Sequence, residues 1–303
     1  MNNKIIMHIN YAERGYNCFG KQSIDDICRF AAETGFDGIE FRGALPKDIT
    51  DMSFKEYVTK IAEAKKKYGL SDILFGIGVR ECINPDHDVR KSDIADVIEK
   101  AKIVRELCET EICNTYSAVL RSPIATVPFP GYEFHGSAVA TPEQWEMIAD
   151  AYRQIGEELE KIDLRFAFET HMNYAHDLPA QAKKLVDMID SPAIGINMDY
   201  GNTYLFPSFP TLEEAIDIYG DKLFYTHLKN YITIPGATKK MPASLDGGEI
   251  NHRAYLEKLR DVGFEGPIGI EAPRPGPSVV CEMRFCICKT ACVGNLIHKN
   301  KEF

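Results

Sequence analysis

Arg165-Phe-Ala-Phe-Glu-Thr-His171 and Ala193-Ile-Gly-Ile-Asn-Met-Asp-Tyr-Gly-Asn202 are built alike: a short apolar run stops at an ionisable residue, Glu169 in one and Asp199 in the other, 30 positions apart. Phe224-Tyr-Thr-His227-Leu-Lys229 and Ile268-Gly-Ile-Glu271-Ala-Pro-Arg274 repeat the design. Apolar runs of this length read as buried strands, and about 30 residues is one strand–helix–strand unit. Toward the N-terminus, residues 4–9, 36–41, 72–78 and 112–118 are runs of the same kind, which makes eight. The amphipathic patterns between them predict helices over 23–34, 53–68, 92–108, 141–161, 177–189, 211–219 and 251–262, with a last one after Pro277. Thr141-Pro-Glu-Gln144 places Thr at an N-cap and Pro at the first helical position, and Thr211-Leu-Glu-Glu214 is a capping box. Eight units with no domain-sized linker predict one α/β domain over residues 1–303, a (β/α)8 TIM barrel, in preference to a doubly wound sheet with extra strands.

Two connections are too long for simple turns, 119–140 after the fourth strand and 230–250 after the seventh. Loops beyond about 12–15 residues are usually functional or disordered, and in a barrel both lie at the C-terminal face where active sites form. The first holds Pro128, Phe129, Pro130, Tyr132, Phe134 and His135, which reads as a structured lid over a ring-shaped ligand. The glycine-rich turn Gly76-Ile-Gly78 runs on into Val-Arg-Glu81 and lacks the dinucleotide-binding spacing. No P-loop, nucleophile elbow or H-E-x-x-H occurs.

With 35 basic against 45 acidic residues, the formal charge of −10 disfavours nucleic acid as a partner. The N-terminal stretch is not a secretory signal and no run suits a membrane helix, so the expected location is cytoplasmic. Nine cysteines, an odd number, fit reduced thiols rather than a disulfide scaffold. Cys281, Cys286, Cys288 and Cys292 cluster, but without the paired C-x2-C spacing of a zinc site they read as small apolar residues on the last helix.

At successive strand ends of a barrel, Glu169, Asp199, His227 and Glu271 share one rim. Alone, such a Glu reads as a salt-bridge partner and such a His as a satisfied core residue. Four in register are another matter, because gathered carboxylates repel unless something positive neutralises them. Hard oxygen donors plus one imidazole suit one divalent ion of the set Mn²⁺, Mg²⁺, Co²⁺ and Zn²⁺ more than a thiolate metal, and Mn²⁺ is the expected ion.

These strand ends, with Gly35-Phe-Asp-Gly-Ile-Glu-Phe41 and Asp246-Gly-Gly-Glu249, resemble the xylose isomerase-like barrel superfamily of sugar isomerases and epimerases. The resemblance implies that Glu169, Asp199, His227 and Glu271 bind the metal. It also implies that Glu169 and Glu271 remove and return a proton beside a sugar carbonyl. Lys229 resembles a strand-seven lysine that stabilises a negative oxygen. His171 and Arg274 are placed to bind hydroxyls or a carbonyl, with Asn202, Glu40 and His8 completing the substrate pocket. His135 on the lid is a candidate additional acid or base. Asn202 stands where keto-sugar epimerases and the three-zinc DNA-repair endonucleases carry histidine, which argues against the nuclease branch.

Glu271-Ala-Pro-Arg-Pro-Gly276 and Tyr132-Glu-Phe-His135 are also similar to the catalytic α subunit of bacterial C-glycoside deglycosidases, carbon–carbon lyases that act beside a small β subunit. Expected partners are therefore a carbohydrate and either a homo-oligomer or a hetero-oligomer with such a subunit. The remaining alternative is a non-catalytic metal-binding subunit.

Overall fold

The computed structural model describes residues 3–10, 23–46, 51–124, 126–127, 131–236 and 240–271. Eight parallel strands close into a barrel: β1 (Ile5–His8), β2 (Gly38–Arg42), β3 (Asp72–Gly76), β4 (Ile112–Thr115), β5 (Arg165–Glu169), β6 (Ile194–Asp199), β7 (Leu223–Leu228) and β10 (Ile268–Ile270). Each pairs with its sequence neighbours in the barrel, and β10 closes the ring against β1 with Ile5 opposite Ile268. A separate antiparallel hairpin, β8 (Asn230–Thr233) and β9 (Lys240–Ala243), rises from the seventh connection.

The helices between the strands are α1 (Ile24–Glu33), α2 (Phe54–Tyr68), α3 (His87–Cys108), α4 (Pro142–Glu160), α5 (Pro179–Ile189), α6 (Tyr200–Thr203), α7 (Leu212–Tyr219) and α8 (His252–Asp261). Local chemistry starts them where the sequence asks. Ser23, Ser53, Thr141 and Thr211 each close a capping box, satisfying backbone N–H groups that the first helical turn leaves orphaned. Helix α3 departs from expectation, beginning at His87 and not near residue 92. Asp86 accepts the Asp88 N–H and caps it five residues earlier.

Period-two alternation gives the barrel two cores. One lies between sheet and helices and includes Phe41, Phe75, Phe166, Phe168, Val58, Ile155 and Leu185. The other fills the barrel axis with Ile6, Leu74, Ile112, Ala167 and Tyr225. Above it, toward the C-terminal ends, the inward positions turn polar: Glu40, Asn114, Asn197 and His227 are all buried there. Cys28, Cys82, Cys108 and Cys113 are free and buried, and burial pushes the first three thiols up to about 12, as expected of thiols used as apolar side chains. The C-terminal cysteines and the helix expected after Pro277 lie outside the described residues. No helix among the described residues is long and apolar enough to cross a membrane.

Specific contacts hold the described parts of both long connections. Asn230 ties off the hairpin at its base, donating to Leu245 and Ile250 carbonyls and accepting the Ile250 N–H. In the fourth connection, the Leu120 N–H reaches Asn173 O at 2.7 Å, and Gly136 turns the chain with φ +60°. A Cβ at Gly136 would stand 2.3 Å from Asp177 Oδ2, the oxygen that accepts the Ser137 N–H at 3.0 Å.

Asp177 is buried and has no ion pair among the described residues, and burial raises its carboxyl to about 6. A raised acid pKa means that ionisation costs stability above that value and nothing below the unfolded value. The cost at pH 8 is on the order of 3 kcal/mol. Asp177→Asn keeps the acceptor for Ser137 without the charge. Thermal melts should show it more stable than wild type at pH 8, with the gain vanishing toward pH 4; equal gains at both pH values would exclude this cause.

Candidate metal centre and active site

Glu169 ends β5, Asp199 ends β6, His227 lies on β7, and Glu271 follows β10 directly, with its N–H bonded to Leu228 O. One donor atom from each lies within 4.8 Å of the others. His227 Nδ1 is buried without a hydrogen-bond partner and faces three carboxylates: Glu271 Oε2 at 3.4 Å, Asp199 Oδ2 at 3.7 Å and Glu169 Oε1 at 3.8 Å. Donors sharing a cation at about 2.1 Å stand about 3.0–3.5 Å from one another, close to these separations. The orphaned nitrogen and its oxygen ring form a cluster that could hold a metal ion.

The two glutamates sit in different electrostatic settings. Glu169 takes amide hydrogen bonds on both oxygens, from Asn202 Nδ2 at 3.1 Å and Asn114 Nδ2 at 2.9 Å. Glu271 accepts one from Asn10 Nδ2 at 2.8 Å and pairs with Lys229 Nζ at 2.9 Å. Lys229 is itself buried and lies 2.7 Å from Asp199 Oδ2. Burial works against its ammonium, but Asp199 and Glu271 outweigh burial and keep its pKa well above the usual lysine value. Burial likewise pushes the Glu271 carboxyl up, and Lys229, His8 and His227 pull it well below the usual range. At Asp199 burial wins and the carboxyl is raised.

Other predicted residues take distinct places. Asn202, in the short helix α6 that follows β6, donates to Glu169 and to Thr170 O. His171 lines the mouth, its Nδ1 2.9 Å from Met172 O and its ring edge-on to Tyr174. Glu40 and His8 lie at the pocket floor, 3.7 Å apart. His135 is buried in the fourth connection, where its Nδ1 accepts the Ser122 N–H at 3.0 Å, and it is not among the residues that line the mouth. Arg274 lies outside the described residues. Asn114, Asn10, Tyr225 and His176 belong to the site as well. His176 donates from Nδ1 to Glu169 O at 2.7 Å and accepts the Ser117 N–H at Nε2, which pins the end of β5 to the segment after β4. Nothing near these residues in the sequence marks them; only the alternation of inward positions on their strands could have pointed to Asn114 and Tyr225.

The cavity above the cluster has a volume of about 980 Å³. Tyr116, Tyr132, Tyr174 and Tyr231 stand on its walls, with Arg80 and Lys229. Of the described lid aromatics, Tyr132 faces the cavity and Phe134 is 47% exposed; Pro128, Phe129 and Pro130 lie outside the described residues. Room for the imidazole comes from β10: Gly269 is in register with His227, and a Cβ there would stand 2.7 Å from His227 Cδ2 and 2.3 Å from Tyr225 Oη.

The family model for xylose isomerase-like TIM barrels matches residues 28–286, and the chain belongs to that family. Among solved structures, a probable 3-DHS dehydratase from Bacillus anthracis is 17% identical with a TM-score of 0.69, over 94% of this chain and 97% of the other. The 3-keto-D-glucoside 4-epimerase YcjR from E. coli is 17% identical with a TM-score of 0.67, over 94% and 98%. A xylose isomerase-like TIM barrel protein from Mycobacterium smegmatis in complex with magnesium is 19% identical with a TM-score of 0.67, over 96% and 97%. At these identities the likeness is one of fold. No curated protein matches the chain in sequence.

Gly269→Ala tests the packing of the site. The added methyl should displace the His227 ring and weaken Mn²⁺ binding at least tenfold by calorimetric titration, with the far-UV circular dichroism unchanged. Wild-type affinity in the variant would show that this space is not required.

Proposed function

We propose that this chain is a divalent-metal-dependent sugar isomerase or epimerase that moves a proton beside a sugar carbonyl. The observation that carries the reading is the convergence of Glu169 and Glu271, from strands separated by β6 and β7 in the barrel, on the unpartnered His227 Nδ1. Glu169, Asp199, His227 and Glu271 would hold the ion, which when bound supplies Lewis-acid polarisation of the carbonyl.

The chain's own groups do the rest. Glu169, whose two oxygens take amide hydrogen bonds and pair with no lysine, takes the α-proton at a carboxylate oxygen. Glu271, beside the Lys229 ammonium, relays a proton from solvent to the other side of the reacting carbon, and Glu169 afterwards releases to solvent the one it took. Lys229 offers a fixed positive charge to an oxygen that gains charge in the transition state. His171 and the tyrosines of the wall bind hydroxyls and exclude water from the carbanion. The family and the sugar epimerase and dehydratase of like fold support this reading.

A second reading rests on the cavity itself. About 980 Å³ with four tyrosines exceeds what one sugar ring needs and suits an aromatic leaving group. The same deprotonation would then end in elimination, as in the α subunit of a C-glycoside deglycosidase with its β subunit. The net charge of −10 and Asn202 disfavour a nuclease.

Metal-loaded protein incubated in deuterated water with keto-sugars and with a 3-oxo C-glycoside separates the readings. Deuterium in recovered sugar is the expected result, released aglycone favours the lyase, and neither event favours a non-catalytic metal-binding subunit. Glu169→Gln should lower turnover by at least about 100-fold in either enzyme. A fully active variant would remove Glu169 from the chemistry.

A further inference from the structure

Glu40 is a fourth carboxylate at the site, 1% exposed, on the opposite side of the His227 ring from the other three. Both of its oxygens are occupied. Oε2 lies 2.7 Å from His227 Nε2 and accepts the Tyr225 hydroxyl at 2.8 Å, while Oε1 accepts Asn114 Nδ2 at 3.0 Å. It is therefore poorly placed to take a substrate hydroxyl or a further ligand.

Resting on the metal reading above, we infer that Glu40 is a positioning residue that fixes the His227 tautomer and turns Nδ1 toward the cation. An ionised carboxylate can only accept, so the proton between Glu40 and His227 must sit on Nε2. The Asn197 amide nitrogen, 3.3 Å from the same Nε2, is a donor and offers no alternative acceptor. With Nε2 protonated, the neutral ring has its one lone pair at Nδ1, the atom that faces Glu169, Asp199 and Glu271. A carboxylate behind a ligating imidazole also raises the basicity of the coordinating nitrogen. Asn114 extends the device, because its Nδ2 bridges Glu40 Oε1 and Glu169 Oε2 and so couples the orientation of the imidazole to that of the proposed base.

Calorimetric titration of the full-length chain with Mn²⁺ alone tests the assignment. Glu40→Leu removes the acceptor and should weaken binding 10–100-fold. Glu40→Gln keeps an acceptor oxygen for Nε2–H and should recover affinity to within about fivefold of wild type, a rescue that loss of packing alone would not give. In ¹⁵N-histidine spectra of wild-type protein loaded with diamagnetic Zn²⁺, His227 should carry its proton on Nε2, a readout that needs no variant to fold. A folded Glu40→Leu that binds Mn²⁺ like wild type, or a His227 protonated at Nδ1, overturns the role of Glu40 alone. A wild-type chain that takes up no Mn²⁺ overturns the metal reading and this inference together.

Discussion

Everything at the mouth of the barrel answers to one constraint, the confinement of negative charge. Glu40 and Asp199, both buried, and Glu169 and Glu271, half-buried at the cavity floor, stand around one imidazole. Carboxylates at such separations repel by several kcal/mol at the effective dielectric of a protein interior. The fold meets this repulsion with Lys229 on one flank and amides from Asn10, Asn114 and Asn202 on the others, around a cluster that could hold a metal ion. Each counter-group is aimed at a particular oxygen, which is why the site gathers so many buried polar residues without stranding most of them.

That constraint explains the polarity gradient along the barrel axis. The lower inward layer is apolar and packs against itself, whereas the layer above it is a hydrogen-bonded polar lattice reaching from β2 through β4 to β7. A glycine on β10 completes the arrangement by leaving space, since the rings of Tyr225 and His227 occupy the volume its side chain would need. The strand ends carry the candidate ligands, and the two long connections add Tyr132 and Tyr231 to the walls, anchored by Asp177 and Asn230.

The barrel itself was legible in the chain because alternation and capping are local signals. Apolar runs, Ser or Thr caps and one Pro at a first helical turn act within a few residues, and six helices and eight strands fall where those signals stand. The misplaced start of α3 has the same origin, since Asp86 is a cap ahead of the expected start at 92 and only the packed helix shows that it is used. The four candidate ligands were legible for a related reason: a strand that ends in an ionisable residue carries its own position on the rim.

The support around those ligands was not legible. Asn10, Asn114, Tyr225 and His176 are ordinary residues in sequence, and their partners lie 7 to 261 positions away. Glu40 and Asn202 could be singled out as pocket residues, but whether each faces substrate or steadies another side chain depends on which neighbouring strand it meets and at what register. By itself, then, the sequence determined the strand–helix alternation and the residues that end each strand, because both are written in short-range pattern. The tertiary structure alone decided which atoms of those residues face one another, because closure of the sheet sets donors and acceptors from distant segments within about 3 Å.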